Sequence, residues 1–334
     1  MPLIGAHATV AGGLATGALA YAAEVGAEVI QVFVSSPRAW AAGPGDPGED
    51  ARLRESGVPV FIHATYLVNL VSGNPEVAAK SAAAVAHALR RGTEIGARGV
   101  VVHAGSAAGW TGAGARDQAL RQVGELVLPL LGKLSDDDPD LLFEPMAGQG
   151  QMLCARAGDL AAYLAAVEHH PKAGVCLDTC HMFAAGHDLT ADGGVAAMLA
   201  ELAAAAGTGT GTSTSPGRVR LVHANDSLLG CGSRRDRHES IGAGRIGTEP
   251  FRGLLAHPAL AGTPFVVETP GGKAGHARDI ATLKGLRAGQ RAADAAGDTG
   301  SAGGTRAVLP EEDRAGTSET DSETDSEPVR AAAS

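Results

Sequence analysis

Apolar residues in this chain fall into two alternating textures. Short runs rich in β-branched and aliphatic residues appear at LIGAH (3–7), VIQVF (29–33), PVFIH (59–63), GVVVH (99–103), DLLFE (140–144), AGVCLD (173–178), VRLVH (219–223) and PFVVE (264–268). Between them lie longer Ala- and Leu-rich stretches with apolar positions at helical spacing, such as EVAAKSAAAVAHALRRGTEIG (76–96). Continuous apolar strands joined by helical crossovers predict a parallel sheet covered on both faces. Successive runs end 26, 30, 40, 41, 34, 45 and 45 positions apart. Eight units over about 280 residues predict an α/β chain folded as a (β/α)8 TIM barrel, with its site where the strand C-termini converge. An open doubly wound sheet is the rival, but it would spread the strand ends along a line.

Those strand ends carry chemistry. His7, His63, His103, Glu144, Asp178, His223 and Glu268 close seven of the runs. His181 follows Asp178 by three positions, and Asp236 and His238 lie in SRRDRHESIG (233–242). Leaving His7 aside, this makes five histidines and four carboxylates, nine candidate ligands in all. One catalytic zinc takes about three protein ligands, so the set implies several ions, most simply three, with one carboxylate bridging two. Imidazole mixed with carboxylate suits Zn²⁺ or Mn²⁺ better than Mg²⁺ or Ca²⁺. Without metal, so many carboxylates at one face would repel each other or hold their protons.

A lone histidine at a strand end is more often a hydrogen-bonding core residue than a ligand, and it is the convergence of many that shifts the balance. Cys176, two residues before Asp178, is expected to fill the barrel, since one Cys-x3-Cys pair with Cys180 is a weak zinc signature. His87, His169, His170, His257 and His276 are read as surface or cap residues. AGQG (147–150) is not followed by Lys-Ser/Thr, which argues against a phosphate loop. Ser106 has no base to activate it.

Charge and composition narrow the class. The 334 residues carry a formal charge of −10, which disfavours a simple basic nucleic-acid binder. Four cysteines are too few for a disulfide scaffold, no Lys or Arg precedes Arg38, and no uncharged apolar run would span a bilayer. A soluble cytoplasmic protein is expected. Residues 287–334, with five basic and ten acidic residues and the run SETDSETDSE (318–327), are expected to form a disordered acidic tail beyond a domain over 1–286. The stretch GTGTGTSTSPG (207–217) reads as a flexible surface loop.

Over residues 2–286 the chain resembles the endonuclease IV family of apurinic/apyrimidinic (AP) endonucleases. The segments that carry the resemblance are GAHATVAGG (5–13), QVFVSSPRAW (31–40), HATYLVNL (63–70), RGTEIGARGVVVHAGS (91–106), EPMAGQG (144–150), CLDTCHMFAAGHDL (176–189), VHANDS (222–227), DRHESIGAGRIG (236–247) and FVVETPG (265–271). Pro145 and His187 depart from the family pattern, and 207–217 looks like an insertion.

The resemblance implies a three-zinc phosphodiesterase of base excision repair that cuts double-stranded DNA 5′ to an abasic site, leaving a 3′-hydroxyl and a 5′-deoxyribose phosphate. Trimming of blocked 3′ ends is a further activity it allows. His63, His103 and Glu144 would hold the first zinc. Glu144, Asp178, His223 and Glu268 would hold the second, and His181, Asp236 and His238 the third, with Mn²⁺ an alternative at one or more sites. Glu144 and Glu268 become the candidates to accept a proton from water. Arg38, Tyr66 and Leu67 would enter the DNA stack at the lesion. Three Zn²⁺ would move the 1–286 core, with 22 basic and 27 acidic residues, from −5 to about +1, so the acidic total does not exclude DNA. The resemblance also implies a monomer. The rival readings are a divalent-metal sugar isomerase or epimerase on the same barrel, which would need fewer ligands, and a DNA-lesion binding protein without catalysis.

Overall fold

The computed structural model describes residues 1–206 and 218–299. Its strands are β1 (Ile4–His7), β2 (Ile30–Val32), β3 (Val60–His63), β4 (Gly99–His103), β5 (Asp140–Glu144), β6 (Ala173–Asp178), β7 (Val219–His223), β8 (Asp226–Ser227), β9 (His238–Glu239) and β10 (Phe265–Val267). All but β8 and β9 pair in parallel and close into a barrel in the order β1-β10-β7-β6-β5-β4-β3-β2. The predicted (β/α)8 TIM barrel is the fold, and each predicted run contains its strand.

Helices α1 (Leu14–Val25), α2 (Pro47–Glu55), α3 (Pro75–Ile95), α4 (Ala115–Leu131), α5 (Leu160–Ala166), α6 (Thr179–Ala184), α7 (Gly194–Ala206), α8 (Glu249–Ala256) and α9 (Gly272–Thr299) make the crossovers. Their ends follow from local chemistry. The Asp46 and Asn74 side chains accept from the first free N–H groups of α2 and α3, and Pro47 and Pro75 occupy the first turns, where no N–H is needed. Gly96 ends α3 at φ 69°, a left-handed conformation that a side chain would strain. Helix α1 has no cap of its own at Gly13; Glu49 of α2 accepts from Ala15 N and Thr16 N at 2.8 Å each, which ties the two helices together.

Two apolar layers result from the period-two alternation of the strands. Ile4, Ile30, Ile62, Val100, Phe143, Val175, Val222 and Phe265 face outward into the helix-covered core. Leu3, Val29, Phe61, Val101, Leu142, Cys176, Leu221 and Val266 form a separate cluster, one residue from each barrel strand or its edge, that plugs the interior. Cys176 fills the barrel as expected. Two residues further along six of the eight strands, the same inward face carries His63, His103, Glu144, Asp178, His223 and Glu268. Register completes the alignment: His103 lies opposite Glu144, and a shift between Val175 and Cys176 brings Asp178 opposite His223.

The expected boundary at 286/287 falls inside α9, which continues to Thr299. Arg287 there bonds Glu28 and the Pro2 carbonyl. A few charged residues in a composition window cannot reveal one arginine's distant partner. The rest of that segment, 300–334, and the loop 207–217 lie outside the described residues. No helix among the described residues is long and apolar enough to cross a membrane.

Candidate active site and metal centre

The nine expected ligands meet at the C-terminal mouth of the barrel. His63 Nε2 and His103 Nε2 each stand 3.6 Å from Glu144 Oε2. On the other side of the Glu144 carboxylate, His223 Nδ1 lies 3.2 Å from Glu144 Oε1, 3.3 Å from Glu268 Oε2 and 3.9 Å from Asp178 Oδ2. A third group follows: Asp236 Oδ2 is 3.2 Å from His181 Nε2, and Asp236 Oδ1 is 3.1 Å from His238 Nε2, which is 3.6 Å from Asp178 Oδ2. Glu144 thus belongs to two groups, and Asp178 lies between the second and third.

Apart from His223 Nδ1 and Glu144 Oε1, which bond at 3.2 Å, these atoms mostly converge without aligned hydrogen bonds to one another. Glu144 Oε2, His181 Nε2 and His238 Nε2 are buried and make no aligned hydrogen bond. Donors about 2.1 Å from a shared tetrahedral cation would stand about 3.4 Å apart, close to the separations found. Among the described residues, His63 with His103 and Glu144, Asp178 with His223 and Glu268, and Asp178 with His181 and His238 are each compact enough to hold an ion. The donor set fits several divalent cations of zinc type.

Electrostatics agree. Burial lowers the His103 pKa to about 4, so its ring presents a lone pair. Burial also disfavours charge on His181, yet Asp178, Asp236 and Glu144 outweigh it and hold its pKa well above the ordinary value. His223 is raised in the same way against burial, by Cys176, Glu268 and Glu144, and His238 rises to about 9 because of Asp236 and Asp178. Glu144 falls well below the usual carboxylate range because His223, His103 and His181 overcome its desolvation. Protons on these rings balance buried carboxylates in the protein alone, a task that bound cations take over.

Supporting bonds fix the ligand orientations. His63 Nδ1 donates to the Ala64 carbonyl at 2.7 Å and His181 Nδ1 to the Pro145 carbonyl at 3.0 Å, turning each Nε2 inward. Pro145 therefore contributes a carbonyl. Asn225 donates to Asp178 Oδ2 at 2.7 Å and accepts from the Glu268 backbone at 2.8 Å. His238 lies on β9 and Asp236 on the connection from β8, two strands that pair antiparallel and whose position depends on Asp226. That buried carboxylate accepts from the backbone N–H of Ser227, Gly242, Gly244, Ile246 and Gly247.

Tyr66 is 49% exposed and roofs the first group, its ring 5.3 Å from His63 and from Phe33 and 5.9 Å from His103. Leu67 beside it is half-buried, and Arg38 is exposed on the preceding loop. Pro37 joins the two loops, its carbonyl accepting from Tyr66 N at 3.0 Å and Thr65 Oγ1 at 2.8 Å. A cavity of about 520 Å³ opens over the ligands, lined also by Tyr66, Met146, Gln149 and Arg237. A larger one of about 930 Å³ flanks it near His7 and Phe33 but touches none of the nine ligands.

Sequence reasoning overlooked Gln31, which reaches His7, His223 and Glu268 from β2, and also missed Asn225 and Asp226. A polar side chain inside an apolar strand was the available signal for Gln31. Two histidines read as surface or cap residues are buried instead: His87 bonds Arg90, and His276 bonds Tyr21 Oη and the Thr269 carbonyl. His187 sits apart from the ligands and accepts from Ala157 N at 3.1 Å.

Comparison with known proteins adds the family. A family model described as xylose isomerase-like TIM barrel matches residues 19–288. A protein of Streptomyces coelicolor named probable endonuclease 4 is 52% identical over 291 residues, 86% of this chain and 95% of that protein. A protein of the same name from Streptomyces avermitilis is 50% identical, covering 86% of this chain and 90% of that one. The crystal structure of endonuclease IV from Thermus thermophilus superposes with a TM-score of 0.72 at 34% identity, over 85% of this chain and 98% of that one. A D-tagatose 3-epimerase-like protein, 17% identical with a TM-score of 0.62, shares the fold alone. The chain belongs to the endonuclease IV family of xylose isomerase-like TIM barrels.

Proposed function

We propose that this chain is a base-excision-repair enzyme that hydrolyses the phosphodiester bond 5′ to AP sites in double-stranded DNA, leaving a 3′-hydroxyl and a 5′-deoxyribose phosphate. The observation that carries the reading is the convergence of nine donor side chains, with Glu144 between the first and second groups and Asp178 close to the third. In this reading His63, His103 and Glu144 hold one zinc, Glu144, Asp178, His223 and Glu268 a second, and His181, Asp236 and His238 a third. Mn²⁺ is an alternative occupant. When bound, such ions acidify water and neutralise the charge that builds on a reacting phosphate.

The protein's own groups supply the rest. Glu144 and Glu268 line the cavity as acceptors for a proton from the attacking water. Arg38, Tyr66 and Leu67 enter the duplex at the lesion, and the unstacked sugar-phosphate occupies the 520 Å³ cavity. Extruding a nucleotide that lacks a base costs less than flipping an intact one, which gives selectivity without reading sequence. Exposed Arg235 and Arg237 beside the ligands suit the DNA backbone, so binding weakens with salt. The same site trims blocked 3′ ends, and the enzyme acts as a cytoplasmic monomer on nucleoid DNA. A sugar isomerase or epimerase would leave the group of His181, Asp236 and His238 without a purpose.

Metal analysis combined with incision of an abasic duplex tests the reading. Three zinc ions per chain and chelator-sensitive cleavage 5′ to the lesion are expected. Binding without cleavage by the metal-loaded chain would leave only a lesion-binding protein.

A further inference from the structure

Gln31 occupies, on β2, the inward position that other strands give to ligands: it follows the interior residue Val29 by two, as His63 follows Phe61 and Glu268 follows Val266. It is fully buried. Its Oε1 is 2.9 Å from His223 Nε2, and its Nε2 is 2.7 Å from Glu268 Oε1 and 2.9 Å from His7 Nδ1. His7 Nδ1 also stands 3.0 Å from Glu268 Oε1.

Only one amide orientation is compatible with these neighbours. A flipped Gln31 would press its carbonyl oxygen against the Glu268 carboxylate, so Nε2 donates to Glu268 and Oε1 accepts from His223. His223 must therefore carry its proton on Nε2, which leaves the Nδ1 lone pair facing Glu144, Glu268 and Asp178 when the ring is neutral. Glu268 Oε1 receives the Gln31 Nε2–H at 2.7 Å, which turns Oε2 toward His223 Nδ1 at 3.3 Å. One amide thus sets the tautomer of one ligand and the rotamer of another.

We propose that Gln31 is a positioning residue that prepares His223 and Glu268 as a pair for the second zinc, an inference that rests on the metal-centre reading above. Outer partners of this kind are worth about 10–100-fold in metal affinity.

The test compares the full-length protein with Gln31→Met, which removes both bonds at similar volume, and Gln31→Glu, which keeps the acceptor for His223 but cannot make the donation to Glu268. Chelator competition followed by native mass spectrometry is expected to show one zinc weakened about 10–100-fold in both variants, with the others unchanged. Imidazole ¹⁵N–¹H spectra should show a protected Nε2–H on His223 in the parent and in Gln31→Glu, and its loss in Gln31→Met. Equal affinity for every zinc, or the same protected Nε2–H in Gln31→Met, would overturn the assignment. The spectra of metal-free protein decide the Gln31–His223 bond by themselves. Fewer than three zinc ions on the parent chain would instead overturn the three-ion reading.

Discussion

Asp226→Asn is the perturbation that most directly separates the barrel from the loop it carries. Asp226 Oδ1 accepts from Ser227 N at 2.7 Å and Ile246 N at 2.8 Å, while Oδ2 accepts from Gly242, Gly244 and Gly247 N at 2.9, 3.1 and 3.2 Å. Asparagine keeps one oxygen for the first pair and turns an amide N–H₂ toward the other three donors. Gly242 is exposed and finds water, so two bonds are lost without replacement. At about 1.5–3 kcal/mol for a bond to an ionised acceptor, the cost is about 3–6 kcal/mol. A surface segment releases rather than carry that cost, so 240–247 should open while the barrel stays folded. Because the same segment packs beside β9, the group of Asp236 and His238 loosens with it. Hydrogen exchange should show loss of amide protection confined to this region, and metal analysis should show one zinc fewer. Unchanged protection at Gly244 and Ile246 together with an unchanged zinc count would refute the reasoning.

Tyr66→Ala should weaken binding to an abasic duplex by an amount typical of one aromatic stack, about 1–3 kcal/mol, in a titration by fluorescence anisotropy. Zinc content should not change, since Tyr66 touches the ligand rings from outside, and loss of zinc would count against its role on DNA. Removing metal with chelator should lower Tm by several degrees for each ion lost, since free zinc about 1,000-fold above its Kd adds about 4 kcal/mol per site. An unmoved Tm would contradict metal binding at this cluster. Arg287 is the leading cause that lowers the Glu28 pKa from 4.5 to about 2. Because the folded value is the lower one, this contribution to stability is complete above pH 4.5 and is lost as pH falls toward 2. The urea-midpoint difference between the parent and Glu28→Gln should follow that course, and a gap that widens in acid would reverse the assigned sign.

The barrel could be read from the chain because each strand states its own environment. A parallel strand buried on both faces must be apolar throughout, so the runs ending at His63, His103, Glu144 and His223 stand out from the helical segments around them. Gln31 escaped notice for a related reason: VIQVF looks like a run ending at Phe33, whereas the paired strand stops at Val32 and the inward layer sets Gln31 level with the ligands. His276 was misread because its partners, Tyr21 and Thr269, come from separate elements.

What the sequence alone determined is the repeat of strand and helix, the types of side chain at the strand ends, and hence the kind of ion they suit. These depend on period, composition and donor chemistry, all of which are local. Tertiary structure alone decided that Glu144 would serve two groups and that a buried glutamine would align His223 with Glu268. It also decided that Asp226 would hold a loop by five backbone bonds and that Arg287 would join Glu28. Such facts depend on distances between residues far apart in the chain, and these become fixed only when the barrel closes and its register is set.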